Sequence, residues 1–170
     1  MVRLAVVSDS HLSPREPMAN ANWDATIRHL EVSQPDLVVH TGDISLDGAN
    51  DADDLRHARS QLDRIPVQWM AVPGNHDLGE PFDTSDEIIE RRRKDYESAF
   101  GERFWSMALG EWKLVGLDSQ QLLDGGDIPG SLGGVFFETT FVEHPRFAAA
   151  SVPFFAAGGV GEVAGAGKQA

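Results

Sequence analysis

Residues 37–43 read Leu-Val-Val-His-Thr-Gly-Asp, an apolar run that ends in a tight polar turn. Three more apolar runs also end in polar residues: Asp9-Ser10-His11 after residues 4–7, Gly74-Asn75-His76-Asp77 after residues 69–72, and Asp118 after residues 114–115. Apolar runs of this length between Gly- or Pro-containing breaks predict strands that are buried on both faces. In open α/β sheets, ligands gather at the carboxyl ends of the strands, so the pattern predicts a metal site there.

The residue types in these clusters suit a divalent cation. Asp9, His11 and Asp43 offer carboxylate oxygens and an imidazole, and Asn75 adds a neutral amide oxygen. Mn, Fe, Zn and Co accept such mixed coordination. The chain has no cysteine, which excludes a thiolate site.

Other residues of the same clusters indicate supporting roles. His76 is followed directly by Asp77, and a carboxylate beside a histidine is the usual means of fixing the imidazole tautomer for proton transfer. Gly42 and Gly74 permit tight turns in which the backbone approaches a ligand closely. His40 precedes the Gly42 turn by two positions, and either orients Asp43 or packs in the core.

Between the clusters the chain alternates strand and helix patterns. Apolar residues recur at helical spacing in two segments: Trp23, Ile27 and Leu30, and Leu55, Ala58, Leu62 and Ile65. A capping box at Thr84-x-x-Glu87 predicts the start of a third helix, which ends at Gly101. Residues 104–109 and 112–117 predict a hairpin. The predicted fold class is therefore α/β, a βαβα sheet followed by an antiparallel pair.

The motifs Asp9-x-His11, Gly42-Asp43 with Gly48 after it, and Gly74-Asn75-His76-Asp77 resemble those of the calcineurin-like metallophosphoesterases. The resemblance is to the cyclic-nucleotide and glycerophosphodiester phosphodiesterase branch, and it covers roughly residues 1–125. It implies an incomplete αββα sandwich, consisting of a parallel βαβα half with an antiparallel hairpin. We accordingly expect a metallophosphoesterase core over residues 1–130 and a divergent Gly/Ala-rich tail over residues 131–170.

The resemblance also implies roles for single residues. It implies that Asp9 and His11 bind a first metal, that Asp43 bridges two metals, and that Asn75 binds the second. The two cations would be of the Mn, Fe, Zn or Co type. His76 would face the substrate phosphate and either protonate the leaving oxygen or stabilise the charged phosphoryl group, with Asp77 orienting it, while a metal-bound hydroxide attacks. The implied function is hydrolysis of a small phosphodiester or phosphomonoester.

The later part of the chain departs from the family pattern. The family supplies further histidines, including a Gly-His-x-His turn that this sequence lacks. His144 is its only later histidine, and it is either a ligand or an exposed loop residue. The alternative function is therefore that of a truncated, non-catalytic homologue that binds at most one metal.

Composition restricts the partners. The formal net charge of −13 opposes binding to nucleic acid or to an anionic membrane. A small phosphate ester remains compatible, because bound cations can invert the local potential. No signal-like apolar segment follows a basic start, so we expect a cytoplasmic protein. The basic run at residues 91–94 is either a phosphate-binding patch or a solvated, ion-paired helix face, and the acidic residues around it favour the second interpretation. The oligomeric state is left open.

Overall fold

The computed structural model describes residues 2–80 and 85–123, and the backbone of residues 147–150. The described strands and helices follow one another in the order β1 (Leu4–Val7), α1 (Pro17–Ser33), β2 (Leu37–His40), α2 (Ala52–Leu62), β3 (Trp69–Ala71), α3 (Asn75–Leu78), α4 (Asp86–Phe100), β4 (Trp105–Leu109), β5 (Trp112–Gly116), α5 (Ser119–Leu123) and β6 (Phe147–Ala150). The alternation of strand and helix confirms the predicted α/β class. Within the described ranges, no helix is both long enough and apolar enough to cross a bilayer.

The first sheet holds β1, β2 and β3 in that order, and all its described pairs are parallel. Every residue of the central strand β2 is buried. The prediction that all these strands are buried on both faces is wrong for β1, in which Leu4 keeps 38% of its surface exposed, and for β3, in which Trp69 and Met70 are partly exposed. The physical reason is position, because β1 and β3 each have a described strand neighbour on one side only.

The side chains of β2 alternate between two hydrophobic cores, as the two-residue period of a strand requires. Val38 packs with the helices, where the predicted apolar residues of α1 and α2 are buried: Trp23, Ile27, Leu30, Leu55, Ala58 and Leu62. Leu37 and Val39 face the second sheet. Ile65 is also buried, but α2 ends before it at Leu62. Helices therefore cover one face of the parallel sheet, and a second sheet covers the other.

The second sheet contains the predicted hairpin, with β4 and β5 antiparallel. The Trp105 indole lies in the core between the sheets and donates a hydrogen bond to the Ala71 carbonyl oxygen at 2.6 Å. Gly116 makes room for this indole, because a Cβ there would meet Trp105 Cε2 at 2.2 Å. Strand β6 pairs parallel with β5 and lies within the segment assigned to the tail. The domain boundary at residue 131 stays a prediction.

The third long helix begins one residue later than its capping pattern predicts. Thr84 lies outside the described residues, and Ser85 occupies the N-cap position of α4 without a side-chain capping bond. The predicted end at Gly101 is confirmed, with φ of 95° at that glycine. The error has a local cause, because serine and threonine at consecutive positions both favour the N-cap.

Candidate metal centre

The loops that follow β1 and β2 continue the pairing of their strands. The Asp9 amide donates to the Gly42 carbonyl oxygen at 3.1 Å, and the His11 amide donates to the Asp43 carbonyl oxygen at 3.0 Å. These bonds fix the two loops against each other beyond the end of the sheet. The side chains predicted to bind metal therefore start from a rigid backbone.

The loop after β3 approaches the Gly42 turn too closely for side chains at two positions. A Cβ on Gly74 would lie 2.2 Å from Asp43 Oδ1 and 2.4 Å from the Asp43 amide nitrogen. A Cβ on Gly42 would lie 2.9 Å from the Gly74 nitrogen, and Gly42 has a φ of 119°. Both glycines are required for the loops of β2 and β3 to meet. The predicted close approach of this backbone to a ligand stays a prediction.

Three side chains converge where these loops meet. His11, Asp43 and His76 each offer a donor atom, and these atoms lie within 4.8 Å of one another. The rings of His11 and His76 stand edge to face, with centroids 4.5 Å apart. The His76 amide donates to Asp43 Oδ1 at 3.0 Å. One residue from each of three strand ends thus forms a compact cluster.

The donors of this cluster fit a divalent cation. His11 Nδ1 is buried and has no hydrogen-bond partner among the described residues, which leaves its bonding capacity unused. Buried nitrogen atoms without a partner are rare and call for an explanation, such as an ion. Asp9 Oδ1 lies 4.0 Å from His11 Nε2 and brings a second carboxylate to the same edge. Imidazole and carboxylate together suit Mn, Fe, Zn or Co.

The backbone at these positions adopts a conformation that L-residues rarely take. Asp9, His11 and Asp43 have φ values of 56°, 45° and 52°. Among the described non-glycine residues, only Gln34 at the C-cap of α1 shares this left-handed geometry. Such geometry costs about 1–2 kcal/mol per residue and concentrates at functional sites. Its occurrence at three predicted ligands supports a functional role for this edge.

The side chains of Asn75 and His76, at the start of α3, are both oriented by neighbours. Asn75 Nδ2 donates to Glu80 Oε1 at 3.2 Å, which leaves the amide oxygen available as a ligand. His76 Nδ1 lies 2.5 Å from the Leu46 carbonyl oxygen. Because a carbonyl can only accept, Nδ1 carries the proton and Nε2 keeps a free lone pair.

Asp77 does not orient His76 as expected. Its carboxylate is fully buried and accepts hydrogen bonds from the amides of Ile44, Ser45 and Gly74 and from the Ser45 hydroxyl. Burial raises the pKa of the Asp77 carboxyl, and these hydrogen bonds oppose that shift. The physical reason for the correction is that neighbouring side chains on a helix point about 100° apart. Asp77 instead holds the loops of β2 and β3 together.

His40 supports the turn that carries Asp43. Its Nδ1 accepts a hydrogen bond from the Gly42 amide at 3.3 Å, and its Nε2 lies 2.9 Å from Ser10 Oγ. Burial, and secondarily the nearby His11, lowers the pKa of His40 to about 3. The ring is therefore neutral at physiological pH. It lies in the interior and contacts the backbone of the turn.

Asp118 does not join the cluster. Its buried carboxylate forms an ion pair with Arg103 and accepts hydrogen bonds from the amides of Gln120 and Gln121 at 3.0 and 3.3 Å. These contacts use the charge and the lone pairs that a metal would need. His144, for which the sequence allows either a ligand or a loop residue, lies outside the described residues.

Two cavities adjoin the cluster. The Arg92 cavity, as we name it, has a volume of about 350 Å³ and is lined by Asp47, Ala49, Asn50, Asn75, His76, Gly79, Glu80 and Arg92. A second cavity of about 300 Å³ lies beside Asp9 and His11 and reaches Trp23 of α1. The sequence favoured a solvated face over a phosphate-binding patch for the whole basic run at residues 91–94, because nothing in it distinguishes Arg92 from its neighbours.

The fold and these motifs define a known class of proteins. The family model described as calcineurin-like phosphoesterase matches residues 2–151. The chain belongs to this family, as its motifs predicted.

Two curated relatives carry phosphodiesterase names, which matches the predicted branch. One, named a probable glycerophosphodiester phosphodiesterase, from Arcobacter nitrofigilis, is 26% identical over 66% of this chain and 42% of its own length. The other, 3',5'-cyclic adenosine monophosphate phosphodiesterase from Pseudomonas aeruginosa, is 28% identical over 78% of this chain and 44% of its own length. The chain thus spans less than half the length of either relative.

Solved structures share the fold. A purple acid phosphatase from yellow lupin (Lupinus luteus) seeds superposes with a TM-score of 0.63 at 15% identity, over 87% of this chain and 29% of the other. A dimetal phosphatase from Danio rerio gives a TM-score of 0.54 at 17% identity, over 69% of this chain and 44% of the other. These matches confirm the predicted fold, with its parallel sheet and antiparallel hairpin.

Proposed function

We propose that this chain is a metal-dependent phosphoesterase that hydrolyses a small phosphodiester or phosphomonoester. The observation that carries the proposal is the convergence of His11, Asp43 and His76, with donor atoms within 4.8 Å of one another. The family membership and the names of the two curated relatives support the same reaction class.

The proposed ligand set is the predicted one, and two of its four members, His11 and Asp43, belong to the observed cluster, whereas Asp9 lies outside it. Asp9 and His11 would hold a first cation, Asp43 would bridge to a second, and Asn75 would bind the second. The Asp43 carboxylate lies between the loops of β1 and β3, which suits a bridging role. Bound divalent cations supply Lewis acidity, which polarises a phosphoryl oxygen and lowers the pKa of water.

The protein groups would bind and orient the ester. We assign His76 to the substrate phosphate, because its side chain lines the Arg92 cavity and its Nδ1 is held by the Leu46 carbonyl oxygen. The free Nε2 can accept a hydrogen bond from the substrate, or donate one after taking up a proton. The Asp77 contacts join the loops of β2 and β3 and do not involve His76.

The second candidate function is that of a non-catalytic homologue that binds at most one metal. One observation favours it: in the described part of the chain, His11, Asp43 and His76 form the only three-residue group of His, Cys, Asp or Glu suited to an ion. A dinuclear centre would need Asn75 and further donors to complete its second site.

Metal stoichiometry and hydrolysis, measured together, separate these functions. The purified chain is loaded with Mn²⁺ at neutral pH, and bound metal is counted by elemental analysis after free metal is removed. The same sample is then assayed on bis(p-nitrophenyl) phosphate and on p-nitrophenyl phosphate. Two metals with hydrolysis support the phosphoesterase, whereas one metal or none without hydrolysis supports the second candidate.

A further inference from the structure

We propose that Arg92 is a substrate-binding residue, whose guanidinium binds a non-bridging phosphate oxygen in the cavity beside His76. This inference rests on the proposed function, because it assigns the phosphate ester to the Arg92 cavity. Arg92 belongs to α4, whereas all the predicted ligands come from the strand ends. Arg92 would therefore contact the phosphate from helix α4, whereas the predicted metal ligands lie at the strand ends.

The guanidinium is held in a fixed position by uncharged partners. Arg92 Nε donates to the Ala49 carbonyl oxygen at 2.9 Å, and its Nη2 donates to Asn50 Oδ1 at 2.7 Å. A guanidinium has five N–H donors, so these two bonds leave two donors on Nη1 and one on Nη2. No ion pair joins Arg92 to a carboxylate among the described residues, so its charge is not neutralised by a partner. The other two arginines of the run differ, because Arg91 pairs with Asp95 and Arg93 pairs with Glu90.

Gly79 leaves the space that the Arg92 side chain occupies. Gly79 has a φ of 81°, and a Cβ on it would lie 2.2 Å from Arg92 Nη1. Any side chain at Gly79 would therefore displace the guanidinium from the cavity wall. The glycine lies three positions after His76, so the short segment that presents the imidazole also accommodates the arginine.

Among the charged residues described in the cavity wall, Arg92 is the one that attracts an anion. Asp47 and Glu80 line the same cavity, where each accepts a hydrogen bond from an asparagine amide. Without Arg92, the described ionised groups of the wall would all be carboxylates, which repel phosphate. A guanidinium edge binds phosphate through paired, charge-assisted hydrogen bonds. The cavity volume of about 350 Å³ leaves space for a small ester.

Binding of inorganic phosphate tests this role directly. Isothermal titration calorimetry would measure phosphate binding to the wild type and to Arg92→Gln, each in Mn²⁺-loaded and in metal-free form. The loss of charge-assisted hydrogen bonds should weaken binding by about 10- to 100-fold. Arg92→Lys should fall between the two proteins, because it keeps the charge and loses the planar fork. On an activated ester, the Arg92→Gln change should raise KM by a similar factor.

Two measurements separate binding from a structural role. Arg91→Gln removes an exposed charge from the same helix and should bind phosphate like the wild type. Thermal unfolding of Arg92→Gln shows whether the fold survives the loss of the contacts with Ala49 and Asn50. Equal affinity in the wild type and Arg92→Gln would overturn the proposal, as would an equal loss in Arg91→Gln or the absence of phosphate binding to the wild type.

The metal count on the same samples distinguishes the two proposals. A wild type that takes up metal and hydrolyses ester, but shows no dependence of phosphate affinity on Arg92, would leave the proposed function standing and refute this inference. A wild type without metal or hydrolysis, in which phosphate binding still depends on Arg92, would refute the proposed function and support the anion site.

Discussion

The backbone amide of His76 donates a hydrogen bond to Asp43 Oδ1 across a distance of 3.0 Å. This bond joins the loops that follow two adjacent parallel strands. The Asp43 carboxylate therefore holds the His76 segment in place with one oxygen. Its charge and its other oxygen remain for a cation.

This relationship predicts the outcome of Asp43→Asn. An amide oxygen can still accept the hydrogen bond from His76, so the fold should survive, but the bridging charge is lost. Metal affinity should fall by more than the roughly 10–100-fold typical for loss of a partner that only orients a ligand. Elemental analysis after Mn²⁺ loading provides the measurement, and Asp24→Asn at an exposed ion pair is the matched control. Equal metal content in Asp43→Asn and the wild type would contradict the site.

His76→Ala should reduce hydrolysis more than metal content. Assistance from an acid or base is worth about 10²–10⁴-fold, and the rate on bis(p-nitrophenyl) phosphate should fall by that order. His57→Ala is the control, because His57 lies on α2 and contacts Asn20 of α1. If metal content falls together with the rate, His76 is a ligand, as its place in the cluster allows. An unchanged rate of hydrolysis would show that His76 takes no part in the reaction.

His40 should make the metal-free fold sensitive to acid. The pKa of His40 is lowered to about 3 in the folded chain from an ordinary value of 6.5, so the unfolded chain takes up a proton first as pH falls. The contribution of the neutral His40 ring to the free energy of unfolding is therefore complete above pH 6.5 and decreases as pH falls toward 3. Urea unfolding at pH 7 and pH 5 should show a smaller pH dependence in His40→Gln than in the wild type. His29→Gln, at an exposed position of α1, should retain the full dependence. An equal pH dependence of the free energy of unfolding in the wild type, His40→Gln and His29→Gln would contradict this prediction.

The ion pair of Arg103 and Asp118 should matter for stability and not for metal binding. Asp118→Ala leaves the buried Arg103 guanidinium with Glu97 as its remaining carboxylate partner and removes the acceptor of the Gln120 and Gln121 amides, which should cost about 1–3 kcal/mol. Asp63→Ala breaks the exposed pair with Arg59 and should cost about 1 kcal/mol or less. Urea denaturation measures both free energies of unfolding. Loss of bound metal in a folded Asp118→Ala protein would contradict this prediction and make Asp118 a candidate ligand.

Removal of residues 131–170 tests the predicted domain boundary. The deletion takes away β6, which pairs with β5, so the melting temperature should fall. The predicted ligands all precede residue 78, so the metal count should match that of the full chain. A lower metal count in the shortened, folded protein would show that the tail supplies a donor, with His144 the first to test.

The sequence was a good guide to the positions of strand ends and a poor one to the partners of single side chains. Apolar runs and glycine turns predicted β1, β2 and β3 because these signals are local. Parallel pairing then brings His11 and Asp43 to one edge as a geometric consequence. Their binding of metal stays a prediction.

The failures share a physical cause, which is that each depends on contacts between distant segments. Asp118 follows an apolar run as Asp43 does, but Arg103 reaches it from across the hairpin. Asp77 adjoins His76 in sequence, whereas helical geometry turns it toward Ser45. Arg92 differs from its neighbours only because the loop at Ala49 and Asn50 packs against it.

Asp9 has a left-handed backbone conformation, so selection of variants for heat resistance alone should act against this aspartate. Glycine adopts such φ values without a Cβ penalty, and its introduction at position 9 would relieve local strain. A library screened for folding alone should therefore enrich glycine there, whereas the hydrogen bond from the His76 amide favours retention of Asp43. Only a screen that also demands bound metal would keep Asp9, because thermal stability and metal binding favour different residues at this position.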